Sequence, residues 1–457
     1  MTARIVRGRH LFVAAVVLAA AAAWMGHHVL AALGTLEGGG SGLTLAYAVM
    51  FLFLVIQFGA AYLERPAKVT DRVQKQLDQL CVVALVPAYN EDAKALQECL
   101  MSMIFQTRKP DTIYVVDDGS KHTDGYRKVQ RWFLEVAPMH GIRPVWHIQS
   151  NAGKRHAQAK AVMDTPEADV YWTVDSDTVS DPSALAELLK PFGNPEVQSV
   201  AGIVMAANVR VKQDWGKHRT NFLTRFTDLW FVAGQLTDRS SLSVLGSVWV
   251  NSGPIAAYRA DLIRNNLHSY LAETFFGRPV PFSDDSMLTL FAMLRGRTVQ
   301  QPTAFAYSLM PDRIGHFNRM FLRWMRGSFI RSWWRVRYLP IRSFAWWAHI
   351  LRWTQSVAAT VLFVAVMLVS PVIDFRIEAL PWMLGVPIVV GYAQTLRYMT
   401  IRRSDQPLLY QWGTWALSPV AVFFALVWLR AIRWYGVATC WKTGSWGTRQ
   451  TVEVAMN

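Results

Sequence analysis

The sequence is poor in cysteine and in charged residues, and its acidic side chains are outnumbered by basic ones. Its three cysteines, Cys81, Cys99 and Cys440, are odd in number and widely spaced, which argues against a disulfide framework and a zinc site, so we expect them to fill the core. Charged residues make up 17% of the 457 residues and hydrophobic ones 52%, which excludes a disordered chain. The net charge of +15 suits nucleic acid, an anionic substrate or an anionic membrane surface as a partner.

Two long apolar runs stand near the N-terminus. The first covers residues 11–34, after an arginine-rich start, and the second covers residues 43–63, after a glycine-rich turn. Both reach the roughly 20 apolar residues that a transmembrane helix needs. A cleaved signal peptide is the alternative for the first run. We predict a transmembrane hairpin over residues 1–64 with both ends in the cytoplasm, because basic flanking residues favour that side.

Residues 65–311 have the composition of a soluble α/β domain, in which short apolar runs alternate with polar stretches. We predict strands at residues 81–87, 112–116 and 170–174, each followed at once by polar residues. Ligands of parallel α/β sheets bind at the carboxyl ends of the strands. The chemistry of this domain should therefore lie in those polar clusters.

The last third of the chain begins with arginines that alternate with Trp, Phe and Tyr, over residues 312–345. Such a stretch can grip single-stranded nucleic acid by stacking. The apolar run behind it favours amphipathic helices at the membrane interface instead. We expect a transmembrane region over residues 346–436, with apolar segments at 354–372, 380–396 and 412–429.

The C-terminal tail, residues 437–457, presents a conflict in topology. Three simple spans would place it outside the cell, whereas its basic residues favour the cytoplasm. One of the three segments could lie in the interface or re-enter the membrane. The number of spans therefore stays open at this point.

Carboxylates follow the first two predicted strands. Pro87, Tyr89 and Glu91 come after the first strand, and Asp117 and Asp118 come after the second. A carboxylate at a strand end can accept hydrogen bonds from a base or a ribose, and the next Gly-Ser lets the backbone come close. An ordinary turn is the alternative for the Asp-Asp-Gly-Ser segment.

Two further acidic pairs carry possible chemistry. Asp175 and Asp177, after the third predicted strand, can share a hard divalent cation such as Mg²⁺ or Mn²⁺ that bridges diphosphate oxygens. Lys154 offers a cation for phosphate, with a solvated loop as the alternative. Asp284 and Asp285 precede a predicted helix; a carboxylate there can deprotonate a hydroxyl, or an aspartate can simply cap the helix.

The order of these motifs resembles that of the processive membrane glycosyltransferases of family 2, which include cellulose, chitin and hyaluronan synthases. The resemblance covers residues 82–331 and implies a GT-A-type α/β transferase domain between N-terminal and C-terminal transmembrane helices. It implies Asp285 as the catalytic base and Asp175 with Asp177 as ligands of Mg²⁺ or Mn²⁺. It also implies a nucleotide site formed by Pro87, Tyr89, Glu91, Asp117, Asp118, Lys154 and Asp175.

Two short segments narrow the resemblance to hyaluronan synthases and Nod-factor-type chitin-oligosaccharide synthases. One is the Ser-Gly-Pro of the acceptor side, and the other is a Trp-Gly-Thr-Arg stretch, from Trp446 to Arg449, that closes over the nucleotide in that branch. The acceptor-binding residues that the resemblance implies are Ser252, Gly253, Pro254, Asp284, Arg323 and Trp324.

The sequence departs from the family pattern at three places. Met320, Ser283 and Asn251 stand where the pattern has Gln, Gly and Cys. The changes leave the transfer chemistry intact and put the sugar and the product length in question.

The resemblance implies an inverting enzyme that polymerises UDP-sugars and exports the polysaccharide. Hyaluronan made from UDP-N-acetylglucosamine and UDP-glucuronate is the first expectation, a chitin-oligosaccharide or other β-glycan the alternative, and a non-catalytic transporter a distant third. The expected partners are the UDP-sugars, the growing polysaccharide and the lipid bilayer. Nucleic acid is not expected, because the arginines cluster beside apolar segments instead of on a separate soluble face.

Overall fold

The computed structural model describes residues 1–6, 9–33, 40–121, 123–212, 218–369, 372, 377 and 380–443. Its strands, in chain order, are β1 (Ala3–Ile5), β2 (Val82–Ala88), β3 (Thr112–Asp117), β4 (Arg143–Ile148), β5 (Val170–Thr173), β6 (Thr178–Ser180), β7 (Val197–Ala206), β8 (Arg210–Lys212), β9 (His218–Thr220), β10 (Ala256–Arg259), β11 (Thr274–Phe275), β12 (Arg278–Pro279), β13 (Arg297–Ser308) and β14 (Ile401–Arg403).

The helices begin with α1 (Arg9–Leu33), α2 (Gly40–Leu63), α3 (Asp71–Asp78), α4 (Ala93–Ile104), α5 (Thr123–Met139), α6 (Lys154–Asp164) and α7 (Ala184–Leu189). They continue with α8 (Phe222–Gly234), α9 (Ser240–Val244), α10 (Ala260–Asn265), α11 (Leu267–Leu271), α12 (Asp284–Arg295), α13 (Ile314–Tyr338) and α14 (Phe344–Val364). The helices after α14 are Leu380–Thr395, Leu408–Ala416, Ser418–Phe424 and Arg430–Ala438, and tighter or wider turns occupy Lys190–Gly193, Gln235–Arg239, Ala365–Val369, Leu396–Thr400 and Ala425–Leu429.

The main sheet has eight strands in the order β4-β3-β2-β5-β10-β7-β13-β6. The first four strands of that order run parallel, β10 is antiparallel to both of its neighbours, and β13 is parallel to β7. The three predicted strands are confirmed as β2, β3 and β5, with ends that agree within one residue. Because Ala88 pairs with Asp117 in the parallel register, the polar residues after β2 and β3 leave the sheet at the same edge.

Both faces of this sheet are covered, which explains why its strands are continuous apolar runs. In β2 the side chains alternate between two cores, since successive residues of a strand point to opposite faces. Val82, Ala84 and Val86 pack with residues of α4, α5 and α7. Val83 and Leu85 pack with residues of α6, α10 and α12. The result is a helix–sheet–helix sandwich that holds the three strand ends in place.

Among the described residues, three helices are long and apolar enough to cross a membrane: His10–Val29, Phe344–Val369 and Ser418–Ala438. The other two predicted segments form shorter apolar helices, within Ala48–Leu63 and at Leu380–Thr395. The last predicted segment differs most, because Pro419 starts a new helix near Ser418 and the residues before it form a separate one.

The basic aromatic stretch forms a single long helix, α13, but only part of it suits a membrane interface. Arg331 and Arg335 are buried against the sheet domain, whereas Arg337 is exposed. The expected location at the membrane interface therefore does not hold for the side chains of Arg331 and Arg335, which are buried. Trp333 and Tyr338, on the outer side, remain exposed.

A buried ion-pair network fastens the C-terminal third to the sheet domain. The guanidinium of Arg403 contacts the carboxylate of Asp228, on α8, at 3.0 Å and that of Asp405 at 2.7 Å. The hydroxyl of Tyr398 donates to Asp228 at 2.9 Å. Next to this network β14 pairs with β1, so the extreme N-terminus lies on the same side of the molecule.

Candidate active site

The polar residues after β2, β3 and β5 meet at one edge of the sheet, as predicted. Pro87 and Tyr89 are half-buried, while Glu91 is buried and accepts a hydrogen bond from the hydroxyl of Ser176 at 3.1 Å. The backbone amide of Glu91 donates to the hydroxyl of Tyr126 at 2.7 Å. Glu91 therefore links the first of these loops to the Asp-Ser-Asp loop.

Asp117 and Asp118 shape their own loops. Asp117 accepts the backbone amide of Ser120 at 2.9 Å, which closes the Asp-Asp-Gly-Ser turn. Asp118 accepts the side-chain amide of Gln149 at 2.7 Å and the backbone amides of Ala152 and Gly153 at 2.9 and 2.8 Å. The carboxylate of Asp118 thus organises the loop that ends at Lys154.

Lys154, at the start of α6, joins two acidic segments that are far apart in the sequence. Its ammonium contacts Asp175 Oδ1 at 2.7 Å and Asp284 Oδ2 at 3.0 Å. Burial lowers the pKa of Lys154, but the two carboxylates outweigh burial and hold this pKa well above its ordinary value. The site therefore places one permanent cation between the Asp-Ser-Asp loop and the start of α12.

Asp284 and Asp285 are neighbours with opposite pKa shifts. Burial alone would raise the pKa of Asp284, but Lys154 holds it below its usual value. Burial, and then repulsion by Asp284, raises the pKa of Asp285 to about 6. Two adjacent carboxyl groups whose pKa values are driven apart are the usual sign of a divided acid–base role.

The backbone before these aspartates shows why the family pattern has a glycine where this chain has Ser283. Ser283 is the residue before α12 and has φ of 57°, in the left-handed region where glycine is favoured. An aspartate cap on α12 is therefore wrong, since Ser283 holds that position and makes no side-chain cap bond. The Gly of the pattern suits this conformation, and Ser283 adopts it at some cost in strain.

A buried triad of Arg155, Glu273 and Arg331 surrounds the loop that carries Asp285. The Glu273 carboxylate contacts Arg155 at 2.7 Å and Arg331 at 2.6 Å, and it accepts the indole N–H of Trp334 at 2.9 Å. Arg155 also donates to the carbonyl of Phe282, and Arg331 donates to the hydroxyl of Ser286. These two arginines thus hold the residues on either side of the Asp284–Asp285 pair.

The Ser252-Gly253-Pro254 segment passes directly over the Lys154–Asp175 pair. A Cβ at Gly253 would lie 3.2 Å from the Lys154 ammonium and 3.3 Å from both Asp175 oxygens, so glycine permits this approach. The hydroxyl of Ser252 accepts from the half-buried Arg239 at 2.5 Å. Pro254 is half-buried beside them.

Asp175 and Asp177 fit a role in holding a divalent cation together with donor phosphates. Asp175 Oδ1 already accepts one cation, the Lys154 ammonium, and Asp177 accepts the hydroxyl of Ser308 at 3.3 Å. In the described part of the chain, no three His, Cys, Asp or Glu side chains converge on one point. Mg²⁺ commonly uses one or two carboxylates and completes its shell with phosphate and water, which this donor set allows.

Trp324 is placed differently from the other predicted residues. Its ring stacks on Phe231, with centroids 5.7 Å apart, and its edge meets Phe321. Arg323, beside it on α13, is half-buried. The two predicted nucleotide contacts Trp446 and Arg449 lie outside the described residues.

Two cavities, each of about 410 Å³, lie between the sheet domain and the apolar helices. We call the first the inner chamber; its walls include Trp249, Arg335 and His349. The second, the membrane cavity, is lined by Gln355, Gln394 and Arg430 among apolar side chains. The two cavities share the lining residues Asp238, Arg352, Ser356 and Arg433.

Several residues of this site escaped the sequence analysis. Arg155 directly follows Lys154 in the sequence but is bound to Glu273, so its guanidinium holds the protein structure together instead of binding a phosphate. Glu273 and Arg239 follow no pattern that singles them out in the sequence. Arg331 and Arg335 are visible only as members of an arginine-rich stretch.

The comparisons with known proteins agree with this geometry. The model of the family described as "Glycosyl transferase family 2" matches residues 83–267. Hyaluronan synthase of Streptococcus pyogenes serotype M3 is 32% identical over 410 residues, which cover 89% of this chain and 90% of the relative. An N-acetylglucosaminyltransferase of Azorhizobium caulinodans is 33% identical over 269 residues, 58% of this chain and 64% of that protein.

Among solved structures, the mannosyltransferase PcManGT from Pyrobaculum calidifontis, in complex with GDP-Man and Mn²⁺, has a TM-score of 0.53. It is 19% identical, and the match covers 85% of this chain and 97% of that one, so the likeness concerns the fold alone. The sheet domain therefore has the GT-A-type fold that was predicted, and apolar helices flank it in sequence. The chain belongs to the family 2 glycosyltransferases, as a membrane member similar to hyaluronan synthases and to rhizobial N-acetylglucosaminyltransferases.

Proposed function

We propose that the protein is a processive synthase that builds hyaluronan from UDP-N-acetylglucosamine and UDP-glucuronate. The observation that carries the proposal is the position of Asp285. This carboxyl group, with a pKa of about 6, lies in a cluster of Lys154, Asp175 and Asp284, on the side of the sheet where the inner chamber opens toward apolar helices. The similarity to a hyaluronan synthase over nine tenths of both chains supports the choice of product.

In the proposed reaction, Asp285 takes the proton of an acceptor hydroxyl as that oxygen attacks the anomeric carbon of the donor sugar. The new C–O bond forms as the bond from that carbon to the phosphate oxygen breaks, with inversion, and the electron pair leaves with UDP. A general base works best when its pKa lies near the working pH, which the raised pKa of Asp285 achieves. Lys154 stabilises the negative charge that develops on the leaving diphosphate.

The nucleotide and its cation have proposed places at the same sheet edge. Asp175 and Asp177 would hold Mg²⁺ or Mn²⁺, which supplies positive charge to the diphosphate. The nucleoside would be contacted by Pro87, Tyr89, Glu91, Asp117 and Asp118. It would be covered by Trp446 and Arg449. Ser252, Gly253, Pro254, Asp284, Arg323 and Trp324 would face the acceptor.

The contacts of the Ser418–Ala438 helix suggest how the chain crosses the membrane. At its start, the hydroxyl of Ser418 bonds to that of Thr395 at 2.7 Å, next to Arg397, which donates to the carbonyl of Leu236 in the sheet domain. At its end, Thr439 bonds to Arg326 of α13 at 3.1 Å. Since both ends lie beside the catalytic side, this helix follows the membrane surface instead of spanning it.

Four spans then remain: α1, α2, the helix from Phe344 to Val369, and Leu380–Thr395. An even number returns the tail to the side of the catalytic domain, in agreement with the basic residues on that side. We keep the predicted domain limits of 1–64, 65–311, 312–345, 346–436 and 437–457 as part of this proposal. A peptide tag after Asn457 should resist protease in sealed cells and become sensitive when they are opened; a tag cut in sealed cells contradicts the topology.

The choice of product is tested with the purified protein in lipid and defined donors. We expect polymer with Mg²⁺ or Mn²⁺ only when both UDP-N-acetylglucosamine and UDP-glucuronate are present, with the two sugars in equal amounts. A polymer of N-acetylglucosamine from the first donor alone would support the chitin-type alternative, to which the rhizobial relatives point. If no sugar were transferred from any donor, only the transport role would remain as an explanation.

A further inference from the structure

Arg335 is a buried cation that faces the inner chamber without an acidic partner. Its side chain is 3% exposed, and its Nη2 donates to the backbone carbonyl of Trp249 at 2.7 Å. Within the described residues, its Nε has no hydrogen-bond acceptor and no carboxylate lies within salt-bridge distance of it. A guanidinium in such a place is costly unless a ligand supplies the missing negative charge.

Other polar atoms around the chamber are also unpaired. In the described part of the chain, the indole Nε1 of Trp249 and both ring nitrogens of His349 lack partners in hydrogen-bonding geometry, although His349 lies near the backbone of Ser332. The Trp249 and His349 rings meet edge to face, with centroids 5.3 Å apart. Buried polar groups are normally satisfied, so three unsatisfied side chains on one cavity wall indicate a binding site.

The chamber lies close to the reaction centre. Trp249 precedes Ser252 by three residues, which span at most roughly 10 Å of chain, and Gly253 touches the Lys154–Asp175 pair. Arg335 and Asp285 are also close enough to interact electrostatically. A sugar of the acceptor chain, behind the one that is being extended, would therefore reach Arg335.

We propose that Arg335, with Trp249 and His349, forms a binding site for the carboxylate-bearing sugar of the acceptor chain. The proposal rests on the proposed function, because only a polymer that contains uronic acid offers a carboxylate there. A planar guanidinium recognises a carboxylate with two parallel hydrogen bonds, and a neutral sugar hydroxyl satisfies it less well. The carboxylate of the bound sugar would accept a hydrogen bond from the Nε of Arg335 and neutralise the charge of its guanidinium.

The test separates the two half-reactions in the full-length protein in lipid. One adds N-acetylglucosamine to an oligosaccharide that ends in glucuronate; the other adds glucuronate to one that ends in N-acetylglucosamine. The uronate of the acceptor stands one sugar further from the reaction in the second case. We expect Arg335→Gln to raise the acceptor KM about tenfold in the second half-reaction, in which the uronate is the sugar behind the one being extended, and much less in the first. A tenfold change is the usual size of a lost charged hydrogen bond.

Asp285 serves both half-reactions, so an equal loss in the two would mean that Arg335 acts on the base, and this would overturn the proposal. An unchanged KM in both would overturn it too. Arg337→Gln, an exposed arginine on the same helix, is the matched control and should change neither. Arg335→Lys should recover part of the affinity, because it keeps the charge.

A second measurement needs no variant. Acceptors whose glucuronate is replaced by glucose lack only the carboxylate, and the unaltered protein should bind them about tenfold less tightly in the same half-reaction. Equal affinity for both acceptors would overturn the proposal. A protein that makes no alternating polymer at all would instead overturn the proposed function, so the two failures are distinct.

Discussion

The cations at the catalytic edge are paired with carboxylates, whereas most of the described cations around the cavities beside the apolar helices are not. At the edge, Lys154 is paired with two aspartates, and Arg155 and Arg331 share Glu273. Around the cavities, in the residues that the structure describes, Arg335, Arg430 and Arg433 donate hydrogen bonds only to carbonyls and hydroxyls.

Among the described residues, Asp238 is the single acid that lines both cavities, and its carboxylate is bound to Arg352 at 2.5 Å. The cations of the edge are thus paired with carboxylates before any substrate arrives, whereas the cavities carry excess positive charge. A site that must hold its own groups in one geometry compensates them internally. In a cavity that binds an anionic ligand, the ligand itself can neutralise the positive charge.

The largest effect that would test the catalytic half of this contrast is the loss of Asp285. Asp285→Asn keeps the shape of the side chain and removes its ability to accept a proton, so we expect sugar transfer to fall about 10²–10⁴-fold. Transfer is measured as radiolabelled sugar in polymer per mole of protein. Asp261→Asn, at a surface pair with Arg295, is the control and should keep nearly full activity; similar turnover in both variants would remove Asp285 as the base.

Next in size is the loss of internal compensation at Glu273. Glu273→Gln leaves Arg155 and Arg331 as uncompensated buried cations, which should lower the free energy of unfolding by about 3–5 kcal/mol. Thermal unfolding in detergent measures it. Glu167→Gln, which breaks the exposed pair with Arg143, should cost about 1 kcal/mol or less. Equal melting temperatures for the two variants would mean that the triad is not a structural element.

A smaller effect concerns pH. Burial and Asp284 raise the pKa of Asp285 to about 6, and the base works only when it is ionised. Activity should therefore fall as the pH drops through about 6, to about one tenth at pH 5. The initial rate at saturating donor, from pH 8 to pH 5, measures this fall. A rate that stays constant down to pH 5 would show that the ionisation of Asp285 does not limit the reaction.

The smallest expected effect would test the other half of the contrast. Among the described residues, Arg433 donates a hydrogen bond only to the hydroxyl of Ser356, at 3.0 Å. Arg433→Met should therefore change the free energy of unfolding by about 1 kcal/mol or less, or even increase it. Polymer length, measured by gel filtration, should decrease if the anionic polymer occupies the cavities, because Arg433 is a cation that lines both of them. A destabilisation as large as that of Glu273→Gln would mean that Arg433 has a structural partner, and the contrast would fail.

Much of the catalytic edge could be predicted because it depends on local patterns. Each of β2, β3 and β5 is a buried apolar run, and the carboxylates follow it directly. The parallel order of the strands then places Asp117 and Asp175 at one edge without further information. The resemblance to family 2 was likewise carried by short motifs in a fixed order, and the comparisons confirm it.

The less predictable features depend on partners that are distant in sequence. Glu273 lies 118 residues from Arg155 and 58 from Arg331, so no spacing rule connects them. The sequence of α13 is rich in arginine throughout, yet Arg331 and Arg335 are buried in the domain, whereas Arg319 and Arg337 are exposed. Whether an arginine is buried or exposed depends on how the helix packs against the loop of Phe282 and Ser283, where Gly327 allows close approach.

The sequence by itself determined the class of the protein: apolar helices at both ends, an α/β domain between them, and carboxylates at the ends of three strands. These features follow from the periodicity of side chains and the length of apolar runs, which are local properties. Only the tertiary structure decided which charges are paired, and that the Ser418–Ala438 helix bonds to Thr395 at its start and to Arg326 beside its end. It also decided that Arg335 faces a chamber with no carboxylate partner among the described residues. The reason is that pairing energies arise between groups brought together by packing, and a charge has no partner until the fold supplies one or leaves the place to a ligand.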